Sequence, residues 1–174
     1  MLEDLKRYYQ SPHEVEAIDA LSDPSMYEGL PRRDVRKIMY QVVLLPSFEP
    51  YRTWTVYSED DGSSKIRRMT WDQRRDYRVE IGGATTFGAD GKLPESESKR
   101  LSEALAAIQV SPFSFPETLG IDGVTFGVRK RGFMHRAELY WWSIPPDGWE
   151  ALAAWHEHAI DLLNSFLPEY TPTN

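Results

Sequence analysis

The sequence predicts an α+β fold built on an antiparallel sheet of about five or six strands, with helices packed mainly on one face. Segments with strand periodicity follow one another along the chain instead of alternating with helices, which favours antiparallel over parallel pairing. Segments with helical periodicity lie near the start, the middle and the end of the 174 residues. This length is sufficient for one domain with a buried core.

Residues 1–33 are expected to form a helical segment that packs on the main domain. Ser11 has the position of a helix N-cap, Pro12 that of the first helical residue, and Glu14 that of the partner in a capping box. Two prolines and a glycine in residues 22–33 predict a connecting loop. The main α+β domain is then expected over residues 34–168, and a loose tail over residues 169–174.

The remaining elements follow from the period of the apolar residues. Asp61 and Gly62 predict a hairpin turn between two of the strands. Gly82, Gly83 and the segment 88–91 are expected to interrupt regular structure. Asp147 is the expected N-cap of the last helix, with Glu150 as its capping-box partner. The predicted strands are 37–45, 52–58, 65–71, 77–81, 123–128 and 136–142, and the predicted helices are 93–108 and 149–167.

The segment "RAELYWWSIPPDGWEAL" contains three tryptophans within nine residues. Neighbouring residues on a strand point to opposite faces, so Tyr140 and Trp142 share the face opposite to Trp141. If one sheet face is open, its aromatic side chains form a partner-binding surface. The aromatic residues expected there are Trp54, Tyr57, Trp71, Tyr140 and Trp142, and the acidic residues expected beside them are Glu59, Asp60 and Asp61. Cross-strand packing alone is the alternative explanation for these aromatic residues.

No catalytic, cofactor or metal site is expected from the motifs. The chain has no cysteine, which excludes thiolate chemistry. His156 and His158 are two residues apart on a predicted helix, where they cannot face one ligand, so a solvated helix face is expected for them. The glycine-rich segment from Gly82 lacks the Lys-Ser/Thr pair of a phosphate-binding loop, and no Gly-x-Ser-x-Gly motif occurs. A catalytic triad assembled in space remains open.

The net charge of −7 and the pI of about 5.1 disfavour nucleic acid and suit a basic partner. Basic residues cluster in the ranges 32–37, 65–75 and 129–131, and two of these three clusters lie on predicted hairpin arms or tips, where charge also opposes edge pairing. The acidic start of the chain and the lack of a long apolar run predict neither a signal peptide nor a membrane segment. We therefore expect a cytoplasmic, bacterial protein.

The order of "VEIGGATTFG", "FSFPE", "DGVTFGV", "ELYWWSIPP" and "WEALAAW" resembles that of small bacterial α+β proteins, which include immunity and protease-inhibitor proteins. The resemblance implies a non-catalytic protein that binds a protein partner. The leading interpretation is an immunity-type protein that neutralises a basic toxin by occupying its surface.

An enzyme or small-ligand-binding protein is the alternative interpretation, and a structural or oligomeric accessory protein is the third. The cleft of the alternative is expected to be lined by Trp54, Trp71, Tyr140 and Trp142. A concave pocket with convergent polar groups would favour that class. The oligomeric state is left open.

Overall fold

The computed structural model describes Leu2 and residues 11–78, 83–114, 122–131 and 136–170. The strands are β1 (Ile38–Pro46), β2 (Tyr51–Ser58), β3 (Ser64–Trp71), β4 (Thr86–Leu93), β5 (Val124–Arg131) and β6 (Arg136–Trp142). They form one sheet in the order β4-β3-β2-β1-β5-β6, in which every neighbouring pair is antiparallel. The described helices are α1 (Pro12–Ser22), α2 (Gln73–Arg78), α3 (Glu95–Ala107) and α4 (Glu150–Ser165). The predicted α+β class with an antiparallel sheet is confirmed.

The first face of the sheet is covered by α3 and α4 and contains the larger apolar core. Alternate residues of each strand point into this core, because neighbours along a strand face opposite sides. Trp155 of α4 donates its indole N–H to the carbonyl of Leu101 in α3 at 3.0 Å, which joins the two helices. The buried residues of this core include Tyr40, Val42, Trp54, Val56, Ile66, Leu101, Leu152, Trp155, Ala159 and Leu163.

The second face is covered as well, by α1 and the segment that follows it. The expectation of an open sheet face is therefore wrong, although the two longest helices do lie together on the first face. The sequence of β1 explains the difference, since Tyr40, Gln41, Val42 and Val43 are all buried, as in a strand that is covered on both sides. The buried apolar residues of the second face are Leu2, Ala17, Ile18, Leu21, Val43, Leu45, Met69 and Trp71.

Hydrogen bonds fix both ends of the α1 backbone, and at its C-terminal end they come from the sheet. At its start the predicted capping box is present, with Ser11 and Glu14 each accepting the other's backbone N–H at 3.2 Å. At its end the carbonyl of Leu21 accepts from Gln41 Nε2 at 2.9 Å and from Thr53 Oγ1 at 3.0 Å. The last carbonyls of a helix have no partner within the helix, so these sheet residues stabilise the position of α1.

Arg67 on β3 fixes the segment after α1 by donating hydrogen bonds to its backbone carbonyls. Its guanidinium is fully buried and donates to both carboxylate oxygens of Asp90 on β4, at 2.6 and 2.9 Å. It also donates to the backbone carbonyls of Pro24 and Pro31, each at 2.6 Å. Arg33 donates to the same Asp90 at 2.9 Å, so one partly buried carboxylate joins two cations.

The interpretation of the basic clusters as edge charges is therefore wrong for their central members. Arg67 lies on β3 and Arg129 on β5, and each of these strands has a neighbour on both sides. Arg129 is also buried, and donates to Glu138 at 2.8 Å and to Gln41 Oε1 at 2.7 Å. Carboxylates and carbonyls accept from most of the donors of these two side chains, which offsets the cost of burying them, although Arg129 Nη2 has no partner in the described part of the chain.

Two other local predictions differ from the structure. Residues 77 and 78, predicted to begin a strand, are the end of α2, and residues 79–82 lie outside the described part of the chain. Gly88 and Gly91 lie within β4 instead of interrupting it. A Cβ atom at Gly91 would overlap the Phe166 carbonyl oxygen, and one at Gly88 would come within 2.7 Å of the Tyr27 ring. Close packing, and not a turn, therefore accounts for these glycines.

The last helix begins without the predicted cap. Trp149 occupies the N-cap position, and no side chain caps the helix. Glu150 instead accepts from the backbone N–H of Gly148 at 3.2 Å, in a turn where Gly148 has a φ of 82°.

Tyr170, which the sequence places in the tail, packs edge-on against Phe87 with ring centroids 5.4 Å apart. Residues 171–174 lie outside the described part of the chain.

We expect Gly127→Ala to lower the free energy of unfolding by about 1–3 kcal/mol in urea denaturation. Gly127 lies opposite Tyr140 in the β5–β6 pairing, and a Cβ atom there would overlap the Tyr140 ring. Gly83→Ala is the matched control, because a Cβ atom at Gly83 has no neighbour within 4 Å. Equal denaturation midpoints for the two variants would contradict this packing.

Candidate functional site

Three of the aromatic residues predicted for a partner surface lie in the interior. Trp54 and Trp71 are 0% exposed and Tyr57 is 1% exposed, so the prediction that they lie on an open surface is wrong. Both indoles are also satisfied internally, since Trp54 donates to Asn164 Oδ1 at 2.9 Å and Trp71 donates to Asp76 Oδ2 at 2.6 Å. Helices on both faces of the sheet are the physical reason.

The other two predicted aromatic residues are half-buried and lie on the edge strand β6. Four strand spacings separate β6 from β3, which is roughly 19 Å at about 4.8 Å per spacing. Trp71 on β3 and Trp142 on β6 are therefore not neighbours. The cleft predicted between Trp54, Trp71, Tyr140 and Trp142 does not form.

The three predicted acidic residues lie at the β2–β3 turn, where the sequence placed them, but they interact with the chain itself. Glu59 accepts from Arg33 at 2.7 Å, and Asp60 pairs with Lys37 at 2.7 Å. Asp61 accepts the backbone N–H of Ser63 at 2.9 Å, and hydrogen bonds from Ser63 lower the pKa of Asp61. Glu59 and Asp60 are therefore each paired with a cation of the chain itself.

A different acidic surface is formed by α1, the segment after it and the start of β4. These elements enclose an open cleft of about 840 Å³, which we call the acidic cleft. Its described lining contains four carboxylates and no lysine or arginine. The lining residues are Glu16, Asp19, Ala20, Ser22, Asp23, Met26, Tyr27, Glu28, Gly29, Gly83, Ala84 and Thr86.

The walls of the acidic cleft are fixed by contacts with the sheet. The Tyr27 hydroxyl donates to the Thr86 carbonyl at 2.9 Å, which joins the segment after α1 to β4. Asp23 accepts the backbone N–H of Ser25 at 3.1 Å and so shapes the turn at Pro24–Met26. Arg67 of the sheet donates a hydrogen bond to the carbonyl of Pro24 and so fixes this turn on the sheet. A cleft with walls fixed in this way needs little ordering when it binds another molecule.

Several groups of the acidic cleft are available to a partner. In the described part of the chain, neither Glu16 nor Glu28 has a hydrogen bond or an ion pair. Met26 is 64% exposed, which gives the cleft an apolar contact beside its carboxylates.

A second cavity lies on the opposite face of the sheet, between α4 and the strands β1, β5 and β6. It has a volume of about 460 Å³, and we call it the aromatic pocket. Phe126 and Trp141 stack in its wall, with centroids 5.4 Å apart and planes at 13°. The lining residues are Leu44, Phe126, Trp141, Ser143, Pro145, Ala153, Ala154, His156, Glu157, Ile160 and Asp161.

His156 lies beside this ring pair and is 1% exposed, so the prediction of a solvated position is wrong for this residue. Its Nε2 lies 2.9 Å from the Val43 carbonyl, which can only accept, so Nε2 carries the hydrogen. Burial lowers the pKa of His156 to about 4, although hydrogen bonding to the Val43 and Gly127 backbone opposes this shift. The side chain is therefore neutral at pH 7. Its spacing from Leu152 and Ala159 is the sequence signal for a buried position.

No family model, curated protein or solved structure matches the chain. Among the described residues, no group of three or more histidine or acidic side chains is placed to hold a metal ion. The described helices also include none with the length and apolar character of a membrane span. Functional inference therefore rests on the geometry and charge of cavities, of which the acidic cleft and the aromatic pocket are two.

We expect the stability of the protein to fall between pH 7 and pH 5 partly through His156. In the folded protein the pKa of His156 is about 4, below the ordinary histidine value of 6.5. Between pH 7 and pH 5 the unfolded chain therefore takes up a proton at this residue that the folded chain does not. These two pKa values correspond to a decrease of about 2 kcal/mol in the free energy of unfolding between pH 7 and pH 5.

Urea denaturation at the two pH values measures this loss. His156→Gln should show the smaller pH dependence, while His158→Gln, on the exposed side of α4, should keep that of the unaltered protein. An unchanged dependence in His156→Gln would refute a buried neutral imidazole.

Proposed function

We propose that this chain is a non-catalytic binding protein whose acidic cleft holds a basic segment of a protein partner. The observation that carries the proposal is a cleft with four carboxylates and no lysine or arginine in its described lining. The net charge of −7 supports it, because a negative protein attracts basic partners over distance and so speeds their encounter.

The unpaired carboxylates and the exposed methionine of the acidic cleft suggest how a partner would bind. Glu16 and Glu28 have no partner within the described chain, so they are free to pair with lysine or arginine side chains. The exposed Met26 adds apolar area, and a methionine adapts its shape to different partners. Charge would thus set the rate of encounter, and the apolar contact would slow release.

The most specific form of the proposal is an immunity-type protein that neutralises a basic toxin by covering its surface. The resemblance of the sequence order to immunity and inhibitor proteins and the acidic composition both support this form. Such a protein would act in the bacterial cytoplasm. Its binding residues would lie in the acidic cleft and not among the aromatic residues of the sheet.

Neutralising the cleft should weaken the binding of a basic peptide. We expect Glu16→Gln with Glu28→Gln to raise the Kd of a fluorescent octalysine peptide about two- to thirtyfold at low salt, since each exposed pair contributes about 0.2–1 kcal/mol. Fluorescence anisotropy measures the Kd, and the affinity of the unaltered protein should fall as salt is added.

The matched control removes the same charge elsewhere. Glu95→Gln with Glu103→Gln alters two exposed carboxylates of α3 and should change the Kd little. If both double variants weaken the peptide equally, net charge alone attracts it, and the acidic cleft is not the site.

A photo-crosslinking residue at Met26 should identify the native partner. We expect one dominant adduct with a basic protein in the host cell, formed in cells that contain both proteins. The control places the same residue at Phe113, which is exposed in a different loop. The same adducts from both positions, or none from Met26, would argue against a partner in the acidic cleft.

A further inference from the structure

The aromatic pocket has the size and the lining of a small-molecule site. Its volume of about 460 Å³ lies within the range of roughly 300–1,000 Å³ that is typical of ligand pockets. Leu44, Phe126, Ile160 and the Trp141 ring supply apolar surface, and all are carried by strands or by α4. The pocket lies on the face opposite to α1, so it is separate from the acidic cleft and does not depend on the function proposed for that cleft.

Contacts around Trp141 keep the pocket open and fixed in shape. Trp149 packs edge-on against Trp141 with centroids 6.2 Å apart, and its own indole N–H donates to the Ser111 carbonyl at 2.9 Å. His156 packs edge-on against both rings of the pair, with its centroid 5.2 Å from that of Trp141 and 5.4 Å from that of Phe126. A preformed apolar pocket binds a ligand without the cost of ordering its walls.

The charged groups of the pocket are all acidic. Glu157 and Asp161 are four residues apart on α4, which places them one turn from each other on the same side of the helix. In the described part of the chain neither residue has an ion pair or a hydrogen bond. Because His156 is neutral at pH 7, no cation in the described lining offsets them. A ligand with a positive charge therefore fits this side of the pocket.

Trp141 provides a hydrogen-bond donor that the protein does not use. The residue is 5% exposed, and its indole N–H has no acceptor in the described part of the chain. The indoles of four other tryptophans each donate to the protein, at Trp54, Trp71, Trp149 and Trp155. The Nε1 atom itself is not fully buried, so this accessible donor on a residue of the pocket wall can donate to a polar atom of a ligand or to water.

We propose that the aromatic pocket binds a small amine that carries an aromatic ring. The ring lies among Leu44, Phe126 and Trp141, and the ammonium group pairs with Glu157 and Asp161. The apolar walls supply most of the affinity, and the two carboxylates select a cation over a neutral or anionic compound of the same shape.

Three probes with one ring system test this selection: 2-naphthylmethylamine, 2-naphthylmethanol and 2-naphthoate. Titration is followed by the indole N–H resonances in a ¹⁵N–¹H NMR spectrum, in which each tryptophan gives its own signal. We expect the Trp141 signal to shift most, and the amine to bind about two- to thirtyfold more tightly than the alcohol. The carboxylate should bind most weakly.

One variant of the pocket removes its carboxylates and another fills its apolar space, so the contribution of charge to binding can be measured apart from that of the apolar walls. Glu157→Gln with Asp161→Asn should reduce the affinity of the amine to that of the alcohol, while the affinity of the alcohol stays the same. Glu95→Gln with Glu103→Gln, with the same change in net charge on α3, should alter neither. Ala154→Trp, which fills the pocket from α4, should abolish binding of all three probes while the other indole resonances keep their positions.

Two results would overturn the proposal. One is the absence of any Trp141 shift up to the solubility limit of the amine. The other is binding of 2-naphthoate that is as tight as that of 2-naphthylmethylamine, because the carboxylates would then have no part in selection.

Discussion

The buried guanidinium of Arg67 is the interaction on which the arrangement of the second sheet face depends. A buried cation is costly unless its donors are satisfied, and Arg67 is satisfied by both oxygens of Asp90 and by the carbonyls of Pro24 and Pro31. Burial alone would raise the pKa of Asp90, but hydrogen bonds from Arg67 and Arg33 hold it below the ordinary value, so the carboxylate stays ionised. These bonds leave the segment after α1 few alternative positions.

Covering both faces of the sheet determines where function can lie. The large aromatic residues Trp54 and Trp71 stabilise the two interiors, and the acidic cleft and the aromatic pocket lie at borders between helices and strands. On one face that border is acidic, because Glu16 and Glu28 come from α1 and the segment that Arg67 anchors. On the other face it is mainly apolar, because α4 lies beside the stacked rings of Phe126 and Trp141.

Local sequence patterns were sufficient to locate strands in which apolar and polar residues alternate, or in which an apolar run lies between turn residues. The prediction places β2 and β3 within one residue of their observed ends. Local patterns failed for β4, since Gly88 and Gly91 resemble a loop and the strand exists through its pairing with β3 and the Asp90–Arg67 contact. The burial of Arg67 was not predictable either, because its carbonyl partners lie 36 and 43 residues away. The acidic cleft has no motif, since three separate segments assemble it.

Amide hydrogen exchange of Arg67→Met is the most direct test of the role given to Arg67. Arg68→Met is the matched control, because Arg68 points to the first face and donates to Asn164 and to the carbonyl of Pro168. We expect amides of residues 23–33 to exchange at least about tenfold faster in Arg67→Met, which corresponds to a loss of about 1.4 kcal/mol or more of local stability, while β1 and β2 stay protected. Unchanged protection of residues 23–33 would contradict the account.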